Sequence, residues 1–274
     1  MSTPVHTARR FVVFPDLKSV ALEAADRFVE SARSAIYANG VFRVALSGGT
    51  TPNGVFPVLR SEPHVGRVDW SRVEFFWGDE RIVPPDDPES NFGTAYRMLI
   101  SRLPGVRPES IHRMQAEVPD LEAASLAYEA ELRLVFGVKG DAVPEFDLVW
   151  LGLGPDGHTA SLFPGSHALH ITDRWVMPNW APAREMWRMT LTYTVIDAAK
   201  EVVFLATGAN KANAIRHIRR GRSLLPAARV KAREGLERLR VRRSAVIASR
   251  SIVSGAMGRA PRPRARWRER RVFG

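Results

Sequence analysis

The stretch DLVWLGLGPDGHTASLFP, residues 147–164, is the most informative part of the sequence because its character changes twice within eighteen residues. Residues 147–153 form an almost unbroken apolar run, which is typical of a central strand in a parallel sheet. Glycines end that strand, and polar residues follow at once: Asp156, His158, Thr159 and Ser161. An exposed loop anchored by a buried strand is where an open α/β sheet places its ligand chemistry. The stretch therefore predicts a functional loop at the end of a central strand.

His158 is the candidate general base in this loop. An imidazole titrates near neutral pH, so it can take a proton from water and return it to a leaving group. Asp156 could accept the other ring N–H and hold the tautomer. The alternative is that Asp156 caps a turn and that His158 is an ordinary surface histidine. The surrounding glycines favour the catalytic interpretation.

Gly152, Gly154 and Gly157 also fit the GxGxxG pattern of a dinucleotide-binding loop, but the fit is weak. Pro155 interrupts the loop, and the Phe-Pro-Gly break at residues 163–165 comes too soon for the long helix of such a site. The sequence therefore does not favour a dinucleotide cofactor.

Composition bounds the protein class. The chain has 274 residues, of which 45% are hydrophobic and 25% charged, so it is long enough for one large α/β domain or two small ones. The lack of cysteine excludes disulfides, thiol catalysis and cysteine-based zinc sites. Residues 1–16 contain no apolar segment of signal-peptide length, and no later run approaches the ~18 residues of a membrane span. We expect a cytoplasmic protein without a membrane partner.

The net charge of +11 is unevenly distributed. Residues 212–274 hold 19 Lys and Arg and 3 Asp and Glu, a charge of +16, which leaves −5 for residues 1–211. Such a basic tail usually suggests an arm for nucleic acid or an anionic surface. This tail has few aromatic residues and no recognisable binding fold, so nucleic acid is not favoured as a partner.

Three other strands are also followed by glycine or polar loops. The strand 41–46 precedes Gly48, Gly49 and Thr50, and such a loop can present a helix N-terminus to an anion or can be a plain capped turn. The strand 73–77 precedes Asp79, Glu80 and Arg81, which could supply a base and an anion-binding guanidinium or could be a solvated charge cluster. The strand 202–207 precedes Lys211 at a helix start, where a bound phosphate would offset the unfavourable helix dipole.

The remaining periodicity predicts the rest of the architecture. The predicted elements are a strand at 11–14, helices at 17–39, 91–102 and 121–136, a strand at 111–114, a helical turn at 195–199, and paired strands at 175–177 and 188–192. Pro57 is expected to shorten or kink the helix after residue 52. This order predicts an α/β protein: a Rossmann-like, doubly wound, mostly parallel sheet with helices on both faces and a small antiparallel element.

Five motifs, taken together, resemble the 6-phosphogluconolactonase family, which is related to the glucosamine-6-phosphate deaminases. They are LSGGTTP at 46–52, FWGDERIVPPDDPESN at 76–91, GLGPDGHTASLFPG at 152–165, RMTLT at 188–192 and VVFLATGANKANAI at 202–215. The resemblance implies one α/β domain over residues 8–230 that hydrolyses 6-phospho-D-glucono-1,5-lactone to 6-phosphogluconate, in the oxidative pentose phosphate route. It implies neither a metal nor an organic cofactor.

The resemblance also assigns roles to residues. His158 would be the general base, Asp156 would orient it, and Arg81 would offset negative charge, with Asp79 in the same catalytic set. The residues that match phosphate-holding positions in the wider superfamily are Gly48, Gly49, Thr50, Arg188 and Lys211.

The C-terminal segment, residues 231–274, departs from the family pattern, in which a short strand and a helix complete the sheet. We expect it to be irregular from about residue 232. One hypothesis is a reading-frame shift near Lys231, which translation of the alternative frames of the encoding DNA would test. The other is a genuine basic tail.

Two other functions stay open. An amino-sugar-phosphate deaminase or isomerase would use Asp79 with a ring-opening acid pair. A sensor of sugar phosphates would bind the ligand without turnover and could dispense with His158. Metal binding through His158, His167 and His170 is disfavoured, because no acidic residue is spaced to complete the site. The sequence does not fix the oligomeric state.

Overall fold

The computed structural model describes residues 10–220, 224–232 and 235–241. Within them the chain forms these strands and helices: β1 (Arg10–Phe14), α1 (Leu17–Asn39), β2 (Phe42–Leu46), α2 (Thr50–Leu59), β3 (Val73–Trp77), β4 (Asp79–Arg81), α3 (Asn91–Met98), α4 (Leu121–Phe136), β5 (Leu148–Leu151), β6 (Val176–Ala181), β7 (Met186–Leu191), α5 (Tyr193–Ala198), β8 (Glu201–Leu205), α6 (Ala212–Arg219), α7 (Pro226–Arg229) and β9 (Gly235–Val241).

The main sheet is parallel throughout, with strand order β1-β9-β8-β5-β2-β3. Apolar side chains of β5 point to both faces of the sheet. Leu148 and Trp150 join one buried cluster, while Val149 and Leu151 join the other. The first cluster packs under α1, α2 and α3, and the second under α4 and α6. The predicted doubly wound sheet with helices on both faces is therefore confirmed.

The topology fixes where a ligand can bind. From β2 the chain proceeds outward to β3, whereas β5, β8 and β9 extend the sheet in the opposite direction. Such a switch point leaves a crevice beyond the carboxyl ends of the two central strands, here β2 and β5.

A second, antiparallel sheet has the order β4-β7-β6 and borders this crevice. It begins directly after β3, separated by Gly78 alone, and Asp79 pairs with Thr190 of β7. The predicted pairing of residues 175–177 with 188–192 is confirmed, since Val176 lies opposite Leu191 and Met177 opposite Thr190.

Helix α1 illustrates how local signals fix the boundaries. The Asp16 side chain accepts a hydrogen bond from the Ser19 amide at 2.7 Å, which caps the first turn. Gly40 adopts a left-handed conformation with φ of 76°, and its amide donates to the Ile36 carbonyl at 2.9 Å. The predicted helix end at Asn39 is confirmed.

Two predicted boundaries are wrong. Residues 111–114 do not form a strand, because only Ile111 pairs with β3, through a single bridge to Phe75. The helix predicted over 91–102 is interrupted at Leu99, whose φ of −131° and ψ of −70° leave the α-helical region, and a short 3₁₀ turn follows at Ile100–Arg102. Pro57 neither ends α2 nor keeps the helix from reaching Leu59.

The expectation of irregular structure from about residue 232 is wrong for Gly235–Val241. These residues form β9, which pairs in parallel with β8 on one side and β1 on the other. Two flanking strands offer backbone donors and acceptors to any extended segment between them, so β9 does not require an apolar run. Residues 242–274, and with them most of the predicted basic tail, lie outside the described residues, and the division of the chain near residue 230 stays a prediction.

None of the helices within the described ranges combines the length and apolar content needed to cross a bilayer.

Candidate active site

A cleft opens at the carboxyl ends of the central strands, where the sheet topology places it. Loops that follow β2, β5 and β8 form its walls, together with β4 and β7. The cleft is lined by eight of the predicted site residues: Gly48, Gly49, Thr50, Asp79, Arg81, His158, Arg188 and Lys211. The ninth, Asp156, is hydrogen-bonded to His158.

His158 and Asp156 form a close pair. The His158 Nδ1 lies 2.6 Å from Asp156 Oδ1, and the His158 amide donates to the same oxygen at 3.2 Å. The imidazole also packs against Phe163, with ring centroids 4.7 Å apart. Partial burial opposes ionisation of Asp156, but the hydrogen bonds and charge of His158 outweigh it and lower the pKa of Asp156. A carboxylate on Nδ1 fixes the ring and leaves Nε2 as the second proton-exchanging atom.

Gly154 makes room for this pair. A Cβ at this position would lie 2.1 Å from His158 Nδ1 and 2.5 Å from Asp156 Oδ1. The backbone of Gly154 also contacts this loop directly, because the Gly154 amide donates to the His158 carbonyl at 2.8 Å. The position of the His158 ring therefore explains why residue 154 is a glycine.

The chain turns tightly just after His158. Thr159 and Leu162 pair across the turn, and the Leu162 amide donates to the Thr159 carbonyl at 2.9 Å. Ala160, within the turn, has φ of 45°, an uncommon conformation for a residue with a side chain, and lines the cleft. The Thr159 hydroxyl donates to the Gly152 carbonyl at 2.8 Å and ties the turn to the end of β5.

Asp79 and Arg188 form a second, buried pair in the cleft. The Arg188 Nη1 lies 3.7 Å from Asp79 Oδ2, and the Ser161 hydroxyl donates to the same oxygen at 2.7 Å. Burial lowers the pKa of Arg188, and the charge of Asp79 opposes this effect. Within the described residues the buried Arg188 Nε has no hydrogen-bond partner. A buried cation with an unused donor is suited to an anionic ligand.

Arg81 and Glu80 have different tasks although they are neighbours. Arg81 donates through Nη1 to the Glu89 carbonyl, and its buried Nε lacks a partner in the described part of the chain. Glu80 accepts from the amides of Asn91 and Phe92, each at 2.8 Å, so it caps the start of α3. Burial raises the pKa of Glu80. The sequence predicts Glu80, like Asp79, as a possible base, but the contacts of Glu80 give it a structural role.

The glycine loop after β2 leads directly into α2. Gly49 is the N-cap residue with φ of 104°, and it has no side chain to satisfy the first amides of the helix. The Thr51 hydroxyl lies 2.7 Å from that of Thr207, which connects this loop to the one after β8. The Gly152 amide donates to the Ser47 hydroxyl at 3.2 Å, which connects it to the loop after β5. The loop can therefore present backbone donors from a fixed position.

Lys211 ends a short 3₁₀ turn at Ala209–Lys211 and precedes α6, so its predicted place at a helix start is confirmed. Burial lowers the pKa of Lys211, while the charge of Asp156 opposes the shift. Arg81, Arg188 and Lys211 thus bring three cations to a cleft whose nearby carboxylates belong to Asp79 and Asp156.

Sequence reasoning missed two residues of this site and predicted no contact for a third. Asn91 and Thr207 line the cleft, and Ser161 bonds to Asp79. Both Asn91 and Thr207 lie in motifs of the family resemblance, at 76–91 and 202–215, but the sequence predicts Asn91 only as the first residue of a helix and Thr207 only as the end of a strand. Their contacts join segments that are far apart in sequence, so no local pattern marks them.

Within residues 10–220, 224–232 and 235–241, no three His, Asp or Glu side chains are grouped in a way that could hold a metal ion. His158, His167 and His170 therefore do not form such a group.

The family model described as glucosamine-6-phosphate isomerases/6-phosphogluconolactonase matches residues 15–239. A 6-phosphogluconolactonase of Streptomyces coelicolor is 38% identical over 212 residues, which cover 75% of this chain and 81% of that protein. One of Haemophilus influenzae is 34% identical over 237 residues, with coverage of 82% and 94%.

Solved structures agree with these sequence matches. A 6-phosphogluconolactonase from Trypanosoma cruzi superposes with a TM-score of 0.74 at 29% identity, covering 86% of this chain and 96% of that one. A monomeric glucosamine-6-phosphate deaminase shares the fold at 19% identity, with a TM-score of 0.70 and coverage of 85% and 97%. The chain belongs to the family of glucosamine-6-phosphate isomerases and 6-phosphogluconolactonases.

Proposed function

We propose that this protein hydrolyses 6-phospho-D-glucono-1,5-lactone to 6-phosphogluconate. The observation that carries the proposal is a His–Asp pair in one cleft with three cations, because this substrate combines a hydrolysable ester with a phosphate dianion. The names of the relatives at 38% and 34% identity support it. The reaction belongs to the oxidative pentose phosphate route, and we place the protein in the cytoplasm.

His158 acts as the general base in this proposal. Its Nδ1–H donates to Asp156, so Nε2 is free to take a proton from water as the water oxygen bonds to the lactone carbonyl carbon. The carbonyl π electrons move to oxygen and form a tetrahedral oxyanion. When the carbonyl re-forms, the bond to the ring oxygen breaks, and the imidazolium returns its proton to that oxygen. Such a base contributes about 10²–10⁴-fold to the rate.

The cations divide two tasks. Arg81 would offset the negative charge that develops on the carbonyl oxygen. The phosphate would be held by the backbone of Gly48 and Gly49, by Thr50, and by Arg188 and Lys211. A phosphate far from the reacting carbon can orient the ester, because its binding energy is available for positioning.

Asp79 supports this assignment as an orienting group. Its Oδ2 already accepts from Ser161 and lies beside Arg188, so the carboxylate is committed to buried donors. A deaminase or isomerase would require Asp79 to take a proton from the sugar, and these contacts disfavour that role.

The test uses freshly generated 6-phosphogluconolactone, because the lactone also hydrolyses without enzyme. We expect the purified protein to accelerate hydrolysis above the spontaneous rate, with a much smaller effect on unphosphorylated glucono-1,5-lactone. Glucosamine 6-phosphate serves as the rival substrate. Release of ammonia from it, or phosphogluconate binding without any lactone turnover, would contradict the proposal and favour the deaminase or the sensor.

A further inference from the structure

We propose that Asn91 is a positioning residue that sets the distance between the Gly48 loop and Arg188 and thereby tunes affinity for the substrate phosphate. The inference deepens the proposed function and rests on it. Asn91 is 4% exposed and lines the cleft, yet it carries no charge and no proton to exchange.

Asn91 is bound on one side to Asp79. Its Nδ2 donates to the Asp79 carbonyl at 2.8 Å and lies 3.3 Å from Asp79 Oδ1. Asp79 in turn lies 3.7 Å from Arg188 Nη1. The side-chain amide of Asn91 therefore restrains the Asp79 carboxylate, which in turn orients the buried guanidinium of Arg188.

On its other side, Asn91 lies against the glycine loop. A Cβ built on Gly48 would be 1.7 Å from Asn91 Oδ1 and 2.4 Å from its Cγ. The Asn91 amide group thus occupies the space that a side chain at Gly48 would need. Gly48 is a glycine for this reason, since its φ lies outside the left-handed range that favours glycine.

The backbone of Asn91 is held in place, so its side chain cannot easily move away from Gly48. The backbone amide of Asn91 donates to Glu80 Oε1 at 2.8 Å, and Glu80 is buried at 3% exposure. Ser90 caps the same helix through a 2.9 Å bond from the Gly93 amide. The start of α3 is thereby fixed, and the Asn91 side chain acts as a rigid spacer between the two proposed phosphate-holding groups.

The first test compares Asn91→Ala with Asn39→Ala. Asn39 is exposed and ends α1 at the amino edge of the sheet, away from the cleft. We expect Asn91→Ala to raise KM for the lactone and Kd for 6-phosphogluconate by about tenfold, with kcat changed less than about threefold, because misplaced binding groups weaken positioning. Asn39→Ala should leave both constants unchanged.

Calorimetry with 6-phosphogluconate and with gluconate isolates the phosphate contribution. The loss should be confined to the phosphorylated ligand. A residue that merely fills space would lower the melting temperature and leave the ratio of the two affinities unchanged, and that result would overturn the inference. Failure of the wild-type protein to bind 6-phosphogluconate would overturn it as well.

A double-mutant cycle tests the contact with Gly48. Gly48→Ala alone should weaken 6-phosphogluconate binding, because its Cβ meets the Asn91 amide. In the Asn91→Ala background the same change should cause little further loss, since the obstructing amide is gone. Additive losses would contradict the spacer role. A wild type that binds 6-phosphogluconate but fails to open the lactone would refute the proposed function while leaving this cycle measurable.

Discussion

His112 and His158 are each hydrogen-bonded to carboxylates, but of these two only His158 lines the cleft. His158 contacts Asp156 through Nδ1, and its side chain is 28% exposed. His112 is held on both sides, with Nδ1 2.7 Å from Glu131 Oε1 and Nε2 2.6 Å from Glu74 Oε2. Its side chain is 8% exposed.

The difference shows that a carboxylate partner alone does not make a general base. Burial tends to lower the pKa of His112, but hydrogen bonds and charge from Glu131 and Glu74 outweigh it and raise the pKa to about 9. His112 is therefore protonated at neutral pH, and both of its nitrogens are engaged. Among the described residues, only Nδ1 of His158 has a hydrogen-bond partner, which leaves Nε2 for substrate or water.

We expect the most severe loss of activity when His158 is changed. We expect His158→Ala to reduce kcat/KM for lactone hydrolysis by about 10²–10⁴-fold, because the general base is lost. The melting temperature should change little, since the ring is partly exposed. Hydrolysis is measured with fresh lactone and corrected for the spontaneous rate.

His170→Ala is the matched control, because His170 is an exposed histidine twelve residues further along the chain. It should retain wild-type activity. An active His158→Ala enzyme would remove the functional distinction between His158 and His112.

A smaller loss is expected when the partner of His158 is changed. Asp156→Asn keeps the shape but removes the charge that orients the ring, so we expect kcat/KM to fall by about 10²-fold, near the lower end of general-base effects. Asp173→Asn, at an exposed position, is the control. Equal rates for the Asp156→Asn variant and wild type would mean that the pairing with Asp156 is incidental.

By contrast, His112→Gln should lower the free energy of unfolding and leave kcat/KM of the folded protein unchanged. Removing the imidazolium leaves Glu74 and Glu131 without their shared cation, and we expect a loss of about 1–3 kcal/mol in the free energy of unfolding at pH 6. Urea denaturation measures it.

The pH dependence of that loss has a definite sign. The folded pKa of His112, about 9, lies above its ordinary value of 6.5, so its contribution is complete below pH 6.5 and disappears as pH rises through 9. The difference in unfolding free energy between wild type and His112→Gln should therefore shrink over that range. A difference that grows with pH would contradict the assignment of a charged His112.

The smallest expected effect comes from Tyr128→Phe. The Tyr128 hydroxyl donates to the His112 carbonyl at 2.9 Å in a fully buried position. Its removal should lower the free energy of unfolding by about 1 kcal/mol without changing the rate of hydrolysis. An activity loss larger than the stability loss explains would connect this region to the cleft.

Much of the fold and of the cleft could be predicted because parallel strands carry their loops to one edge. The loops after β2, β5 and β8 each begin with residues that the sequence marks as glycine-rich or polar, and the topology brings them together. His158 and Asp156 are two residues apart, so their pairing is visible locally.

Other features depend on contacts that no local pattern reveals. Glu74 and Glu131 lie 38 and 19 residues from His112, so the sequence around His112 does not indicate that these carboxylates contact it. Asn91 meets Gly48 and Asp79 only in the folded protein. The strand β9 lacks an apolar run like that of β5. Its place is set instead by pairing with the two strands that flank it.

The most direct test of His158 as the general base is a paired comparison of His158→Ala and His112→Gln, with hydrolysis and urea unfolding measured on the same preparations. We expect His158→Ala to lose about 10²–10⁴-fold in kcat/KM while remaining stable. We expect His112→Gln to be destabilised yet fully active per folded molecule. The reverse pattern, or an activity loss of similar size in both variants, would contradict the assignment of His158 as the general base.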